Sequence, residues 1–443
     1  MSKKFVSHRL GRFAKLGKSL TKATGHLALE RVEKTLKRAV EKKEEVENIK
    51  RKALAAKEII KSMGELKGAL MKLGQMLSIT EDLFIPPEIS KLFTELQKNA
   101  PPMKETEIDQ VFIESFGQRP DQLFKEFYRK PIAAASIGQV HKAVLNSGEV
   151  VAVKVQYPKI VKAIKNDFEN LEGIKKLISI LFPKVPNIDT YLLELKRSLA
   201  EECNYIRERE SVDFFREKAR EKFPDIIIPK TYSEYSSETI LTLEFMEGDD
   251  YVTSKTYTQE ERDLLGQKIY DFHNYCFYGL RKIHTDPQYG NFLFRKDKVI
   301  YLDFGSVKSF DQAFVRLYID LLQSIEREDL ERYREVLLTF GFFEETDNRE
   351  LFENHLKMVS NLYRPYIRPG KHKIPSVNPL DLVKGFVDNI ELKGRKSPRE
   401  EFLLLDRSHL GLYTKLRGWQ AKIDWLTTKE EGWSEYENVI CEV

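Results

Sequence analysis

Apolar residues recur at helical spacing along the first hundred residues, and this pattern predicts a helical region. Between residues 28 and 77 the apolar residues follow a helical period, as at Val32, Leu36 and Val40, with almost no proline or turn cluster among them. The pattern breaks at the two prolines after Ile85, resumes over a short stretch, and stops again at the two prolines after Ala100. We therefore expect a helical extension over residues 1–104.

The next segment alternates between strand and helix patterns. The runs Val150–Val155 and Thr239–Glu244 are apolar and rich in β-branched residues, as buried strands are. Helical periodicity between them predicts one helix over about 161–182 and a second over about 191–220. Residues 105–248 are therefore expected to form a mixed lobe of strands and helices.

The remainder of the chain has a mainly helical pattern. Helical periodicity starts at about Thr258 and is interrupted by a short strand-loop-strand segment between Asn291 and Asp303. The whole pattern predicts an α+β fold in which the mixed lobe is followed by a helical lobe over residues 249–443.

Length and composition permit an enzyme and argue against a nucleic-acid-binding, disulfide-rich or membrane-spanning protein. With 443 residues the chain is long enough for one large two-lobed domain. Its 73 basic and 69 acidic residues give a net charge of only +4, so we expect no nucleic-acid partner. Three cysteines without paired spacing argue against a zinc site or a disulfide framework. No apolar run approaches the ~20 residues that span a bilayer, so we expect a cytoplasmic protein without a transmembrane segment.

The first 29 residues are basic and leave three interpretations open. They contain seven lysines and arginines and no acidic residue before Glu30. A basic amphipathic helix binds an anionic membrane surface peripherally, whereas a solvated helix with one core-facing stripe has the same pattern. An arginine-rich, acid-poor start is also typical of a mitochondrial targeting segment. We expect any membrane contact of the chain to involve residues 1–29.

A hairpin of small residues is the candidate phosphate-binding element of the sequence. Residues 133–141 read AAASIGQVH, and a turn at residues 146–148 leads into the strand that carries Lys154. Small side chains leave backbone N–H groups accessible to a phosphate. The candidate nucleotide-binding residues of this loop are Ala133, Ala134, Ala135 and Ser136.

A lysine within an apolar strand next to such a hairpin suggests a kinase-like phosphate contact. In this interpretation Lys154 contacts the α- and β-phosphates and is held by a helix glutamate, for which Glu208 is the candidate. A solvated salt bridge is the plainer alternative for any one glutamate on a helix.

The strongest sequence signal is a catalytic-loop pattern followed by a DFG tripeptide. Asp286 precedes Asn291 by five residues, and the tripeptide begins at Asp303, seventeen residues after Asp286. Phosphoryl transfer requires oxygen ligands for magnesium, a role that suits Asn291 and Asp303, and a carboxylate near the acceptor, a role that suits Asp286. We therefore predict Asp286, Lys154 and Glu208 as catalytic residues, with Mg²⁺ and ATP or ADP as cofactors.

These residues resemble the UbiB family of atypical kinases, also called the ABC1 or ADCK family. The resemblance runs from about Arg9 to Tyr413 and includes the alanine-rich loop and a KxGQ signature at residues 72–75. It implies a two-lobed protein-kinase-like fold in which the N-terminal helical extension packs over the cleft. Lys72 and Gln75 would then lie near the phosphates.

The resemblance also implies a hinge and a helical insertion. The segment from Glu244 through Met246 resembles the hinge that offers backbone groups to adenine. The stretch between the lysine strand and Glu208 is long enough for the family's insertion. The family's E-x-D pair falls on Glu202 and Asn204, so an amide stands here where the family has a carboxylate.

The function that the resemblance implies is an ATPase or small-molecule kinase supporting isoprenoid-quinone (coenzyme Q type) or related lipid metabolism. Its partners would be a nucleotide and a lipid or isoprenoid-quinone precursor. Two alternatives stay open, namely a nucleotide-binding pseudokinase scaffold and a true protein kinase. The second is disfavoured because a helix is expected at about Gln312, which leaves no long activation segment and no APE tripeptide after Asp303.

Overall fold

The computed structural model describes residues 103–135, 137–158, 160–161, 188–286, 288–374 and 400–441. The chain divides into two compact units, residues 1–59 and 60–443, and every described residue belongs to the second. The basic segment over residues 1–29, the KxGQ signature and nearly all of the helix expected over 161–182 lie outside the described residues. From residue 105 onward, the described residues lie in the ranges expected for the two lobes.

Helices and strands of the described residues are numbered in chain order. The α-helices are α1 Glu105–Phe116, α2 Pro120–Leu123, α3 Ile188–Glu202, α4 Tyr205–Lys222, α5 Tyr251–Ser254, α6 Gln259–Asn274, α7 Gln312–Glu326, α8 Leu330–Phe340, α9 Arg349–Tyr363, α10 Glu400–Trp419 and α11 Trp425–Cys441. The strands are β1 Glu126–Phe127, β2 Ala133–Ala134, β3 Gly138–Val144, β4 Val150–Gln156, β5 Ile226–Ile227, β6 Ile240–Glu244, β7 Lys282–His284, β8 Phe292–Arg295, β9 Lys298–Tyr301, β10 Val307–Ser309, β11 Lys371–Lys373 and β12 Lys422–Asp424.

The first lobe is built on an antiparallel sheet in the order β1-β3-β4-β6, with β2 paired to β3. Successive side chains of a strand point to opposite faces, so β4 places Val151, Val153 and Val155 against the apolar side of α1. Lys154 consequently lies on the other face of the same strand. The strands predicted around residues 150–155 and 239–244 are both present.

One helix that was predicted as continuous is two helices in the structure. The sequence pattern indicated a single helix over about 191–220, carrying both Glu201 and Glu208, but the structure breaks it between α3 and α4. Asn204 has extended backbone angles, and its side chain accepts a hydrogen bond from the backbone N–H of Arg207 at 3.1 Å. Such an N-cap starts a new helix, and it places Glu208 in the first turn of α4.

The second lobe is mainly helical, as predicted, and three small sheets have strands in it. β7 pairs with β10, and β8 pairs with β9 in the segment predicted as strand-loop-strand. α7 begins at Gln312, directly after β10, so the described chain has no long activation segment there. Among the described helices, none has both the length and the apolar content needed to cross a bilayer. A sheet lobe followed by a helical lobe confirms the α+β prediction.

Candidate active site

The site is organised around a buried ammonium group that joins the two lobes. Lys154 Nζ donates to Glu208 Oε1 at 2.7 Å and to Asp303 Oδ2 at 2.9 Å. Lys154 is 8% exposed and Glu208 is 2% exposed. The predicted contact between Lys154 and Glu208 is therefore present, and it is not the solvated salt bridge of the plainer alternative.

The two carboxylates of this cluster differ in the direction in which their pKa values shift. For Glu208, loss of solvent and then the nearby Asp303 charge raise the pKa to about 7, although Lys154 opposes both effects. Burial also tends to raise the pKa of Asp303, but attraction to Lys154 and the hydrogen bonds to Lys154 and Gly305 outweigh it and lower that pKa. Asp303 thus keeps its negative charge, while Glu208 is the member that is closest to taking up a proton.

Backbone hydrogen bonds hold the predicted catalytic loop together. Asn291 Nδ2 donates to the carbonyl oxygen of Asp286 at 3.1 Å, and Asp303 Oδ1 accepts from the backbone N–H of Gly305 at 2.8 Å. The Asn291 carbonyl oxygen accepts from the N–H of Leu302 at 2.9 Å, which ties the loop to the end of β9. Asp286 is 8% exposed. These bonds fix the two predicted metal ligands and the predicted base relative to one another.

The donor set suits magnesium. Asp303 offers a carboxylate, and Asn291 offers an amide oxygen because its nitrogen is already used in the bond to Asp286. Within the described residues there is no group of three or more His, Cys, Asp and Glu side chains that would form an all-protein metal cage. Magnesium typically takes only one or two protein ligands and completes its shell with phosphate oxygens and water. The residues present therefore fit a metal that arrives with a nucleotide.

The alanine-rich loop forms a short hairpin at the edge of the sheet. Ala133 and Ala134 are exposed and pair with Val140 and Gln139 of β3, and the N–H of Ala135 bonds to the Gly138 carbonyl oxygen at 2.9 Å. Ser136 lies outside the described residues. The small side chains leave this face of the hairpin open, as the phosphate-binding prediction requires.

A buried polar chain beneath this hairpin was not recognised in the sequence. Gln139 and His141 lie on the buried face of β3 and contact each other at 3.0 Å between their Nε2 atoms. Gln139 Oε1 accepts from the N–H of Met103 at 3.0 Å, and His141 Nδ1 lies 2.9 Å from the carbonyl oxygen of Tyr128. The available signal was the recurrence of polar residues at alternate positions of an otherwise apolar strand.

Gly138 packs closely against the strand that carries Lys154. A Cβ atom there would lie 2.3 Å from the carbonyl oxygen of Val155. We expect Gly138→Ala to lower the free energy of unfolding by about 1–3 kcal/mol, since the backbone must move to relieve the overlap. Urea unfolding measures this loss. Gly290→Ala is the matched control, because a Cβ at Gly290 meets nothing within 4 Å; equal stability of the two variants would contradict the prediction.

The predicted hinge residues follow the last strand of the sheet. Glu244 ends β6, where its N–H bonds to the Lys230 carbonyl oxygen at 2.8 Å and its Oε2 accepts from the N–H of Lys230 at 3.2 Å. Met246 is half-buried in the segment that follows. The Glu244 side chain is thus engaged with Lys230, and adenine recognition by this segment would use backbone groups. Lys72 and Gln75 lie outside the described residues.

Comparisons with known proteins show the family to which the chain belongs. Residues 95–337 match the family described as the ABC1 atypical kinase-like domain. The Caenorhabditis elegans protein named "Atypical kinase coq-8, mitochondrial" is 31% identical over 69% of this chain and 41% of its own length. The Schizosaccharomyces pombe protein named "Atypical kinase COQ8, mitochondrial" is 30% identical over 70% of this chain and 50% of its own. The chain thus spans half or less of the length of these two relatives.

A solved structure supports the fold. The structure of a Mycobacterium tuberculosis protein in complex with erythromycin covers 86% of this chain and 96% of its own, with a TM-score of 0.59 and 24% identity. At that identity the likeness concerns the fold alone. The family match covers more than half of the chain and includes the strand of Lys154, the helix of Glu208 and the loop of Asp286. The chain therefore belongs to the UbiB family of ABC1 atypical kinase-like proteins.

Proposed function

We propose that this chain binds Mg-ATP and acts as an ATPase or small-molecule phosphotransferase. The observation that carries the proposal is the ion-pair cluster in which Lys154 Nζ contacts both Glu208 and Asp303, at 2.7 and 2.9 Å. A lysine paired in this way is positioned for phosphate contact, while its carboxylate partner from the DFG tripeptide is positioned for a metal. Phosphoryl transfer in protein kinases needs both the lysine–glutamate ion pair and the contact of the DFG aspartate with the metal.

Each residue of the site has a task in this proposal. Bound Mg-ATP supplies the transferable γ-phosphoryl group. Lys154 offsets phosphate charge, and Asp303 together with Asn291 would hold the metal. Asp286 would accept the proton of the attacking hydroxyl group or orient a water molecule. Charge stabilisation in a site shielded from water is stronger than in bulk solvent, and the burial of Lys154 and Glu208 favours it.

The acceptor side of the site favours a small acceptor over a polypeptide. Only residues 306–311 connect Gly305 to α7, and β10 pairs with β7 within that stretch. Protein kinases dock peptides on a much longer segment between the DFG and APE tripeptides. Water or a small alcohol is therefore the acceptor class that we propose. A non-catalytic scaffold remains the alternative for this site, and it would bind nucleotide without turnover.

Nucleotide-dependent stabilisation tests the proposal. A ligand that binds only the folded state at about 100 times its Kd raises the free energy of unfolding by about 2.7 kcal/mol. We expect a shift of this kind for ATP or ADP with Mg²⁺, a smaller one when the metal is chelated, and release of phosphate from Mg-ATP. No shift with any nucleotide would refute the proposal, whereas a shift without turnover would favour the scaffold.

We further propose a role in isoprenoid-quinone or related lipid metabolism, in a mitochondrion or at an anionic membrane surface. The support is family membership and the names of the two relatives, both of which are called mitochondrial atypical kinases. Disrupting the gene in its host and quantifying isoprenoid quinones by mass spectrometry tests the pathway. Vesicle binding by the full chain and by a chain lacking residues 1–29 tests the membrane contact, which should weaken as salt screens the charges.

A further inference from the structure

Helix α10 contacts the catalytic loop from inside the helical lobe. Near its middle, Ser408 Oγ donates to the carbonyl oxygen of His284 at 2.9 Å. Two turns later, Lys415 Nζ lies 4.3 Å from the ring centroid of Phe292 and 5.3 Å from that of Tyr289. His284 precedes Asp286, and Phe292 follows Asn291. Helix α10 thus touches both ends of the segment that carries the proposed base and metal ligand.

Tyr289 is held on its other side by α5. The rings of Tyr251 and Tyr289 stack at 4.3 Å between centroids with an interplanar angle of 7°. Tyr251 Oη in turn donates to the backbone carbonyl oxygen of Lys415 at 2.9 Å. The ammonium, the loop tyrosine and the α5 tyrosine therefore form one connected group against the loop that carries Asp286.

Lys415 occupies an unfavourable place for a cation. It is 1% exposed, and burial lowers its pKa to about 7, with only partial opposition from the negative charge of Asp286. His273 also faces it, but burial and the neighbouring cationic groups keep the pKa of that imidazole well below its usual value. The negative charge of Asp286 thus offsets part of the effect of burial on this lysine. A buried lysine usually lowers stability, so its presence beside a proposed catalytic carboxylate points to function.

We propose that Lys415 is a positioning residue of the active site, which fixes the Asp286 carboxylate and the Tyr289 ring from within the helical lobe. The inference rests on the proposed phosphoryl-transfer function for its kinetic consequence. Lys415 contacts Tyr289 and Phe292 of the loop, and it acts on the reaction through Asp286. Its ammonium attracts the carboxylate in a region of low dielectric constant, and its contacts with Tyr289 and Phe292 restrict the loop between them.

The experiment compares Lys415→Met with Lys415→Arg and with Lys429→Met. Methionine keeps most of the side-chain volume and removes the charge. Lys429 is the matched control, because it is also a buried lysine of the helical lobe, 5% exposed, but its ion pair is with Glu326 on α7. For each protein we would measure kcat and KM for Mg-ATP, urea unfolding, and hydrogen exchange of the loop from Thr285 to Asn291.

We expect Lys415→Met to lower kcat by about 10- to 100-fold, as small displacements of a reacting group do, with KM for Mg-ATP nearly unchanged. The variant should unfold at the same or a higher urea concentration than the wild type, because an apolar isostere replaces a buried charge. Loop exchange should become faster, and Lys415→Arg should restore part of kcat. Lys429→Met should lose stability, since Glu326 is left without its partner, while its kcat stays at the wild-type value.

Three results would overturn the inference: wild-type kcat in Lys415→Met, a kcat that falls only in proportion to the folded fraction, or unchanged loop exchange. Failure of the proposed function is distinguishable, because it would appear as absence of Mg-nucleotide turnover in the wild type itself. In that event the exchange of the loop decides the positioning role without any nucleotide, by comparison of Lys415→Met with Lys429→Met.

Discussion

Replacing Asp303 with asparagine is expected to lower Mg-nucleotide turnover by about 100- to 1,000-fold while the protein stays folded. The substitution removes the charge that attracts a divalent metal and the charge that Lys154 contacts at 2.9 Å. Asparagine has nearly the same shape, and its amide oxygen can still accept the N–H of Gly305, which now bonds to Asp303 Oδ1 at 2.8 Å. Steady-state phosphate release at several Mg²⁺ concentrations measures the effect.

Asp329→Asn is the control for this substitution. Asp329 caps α8 by accepting the N–H of Arg332 at 3.0 Å, and asparagine caps helices about as well as aspartate does. This variant should therefore keep both its stability and its turnover. A folded Asp303→Asn protein with wild-type turnover would remove Asp303 from the metal site and with it the proposed use of the DFG tripeptide.

The contact between Lys154 and Glu208 was predicted from the sequence, and the side of the sheet on which Lys154 lies follows from a local pattern. Alternation within the apolar run Val150–Val155 is enough to put Lys154 on the face opposite its valine neighbours, and the structure has that arrangement. The spacing of Asp286 and Asn291 likewise predicted a catalytic loop, and hydrogen bonds join Asn291 to Asp286 and to Leu302, the residue before Asp303. Glu208 pairs with a lysine 54 residues earlier in the chain, and only the kinase-like pattern predicted this contact.

The features that were missed depend on single side chains or on contacts between distant elements. Asn204 breaks a helix whose apolar periodicity continues on both sides, because one capping bond outweighs the pattern at that point. Lys415 has no neighbouring motif, and a lysine on a helix is usually solvated. Its burial follows only from the packing of α10 against a loop more than a hundred residues earlier. Periodicity within one helix carries no information about that contact.

Lys154→Met is expected to lower the free energy of unfolding by about 3–5 kcal/mol at neutral pH, because it leaves the buried Glu208 and the partly exposed Asp303 without their cation. In the wild type the ammonium lies within 3 Å of both Glu208 and Asp303. Glu208 already has a pKa raised to about 7, so proton uptake there should relieve part of the repulsion. Stabilisation by Mg-ATP should also disappear, since the proposed phosphate contact is lost. Urea unfolding with and without Mg-ATP measures both effects.

A double substitution separates the two consequences. Lys154→Met combined with Glu208→Gln removes the ammonium together with one carboxylate, so the stability should recover in part while nucleotide stabilisation stays absent. Lys142→Met on the adjacent strand is the matched control, because Lys142 Nζ lies 4.7 Å from the ring centroid of Phe245 and is only half-buried. The Lys142→Met substitution should lower the free energy of unfolding by less than about 1 kcal/mol. If the double variant were no more stable than Lys154→Met, charge repulsion between Glu208 and Asp303 would not be the cause of the lost stability. If either variant were still stabilised by Mg-ATP, Lys154 would not be the phosphate contact.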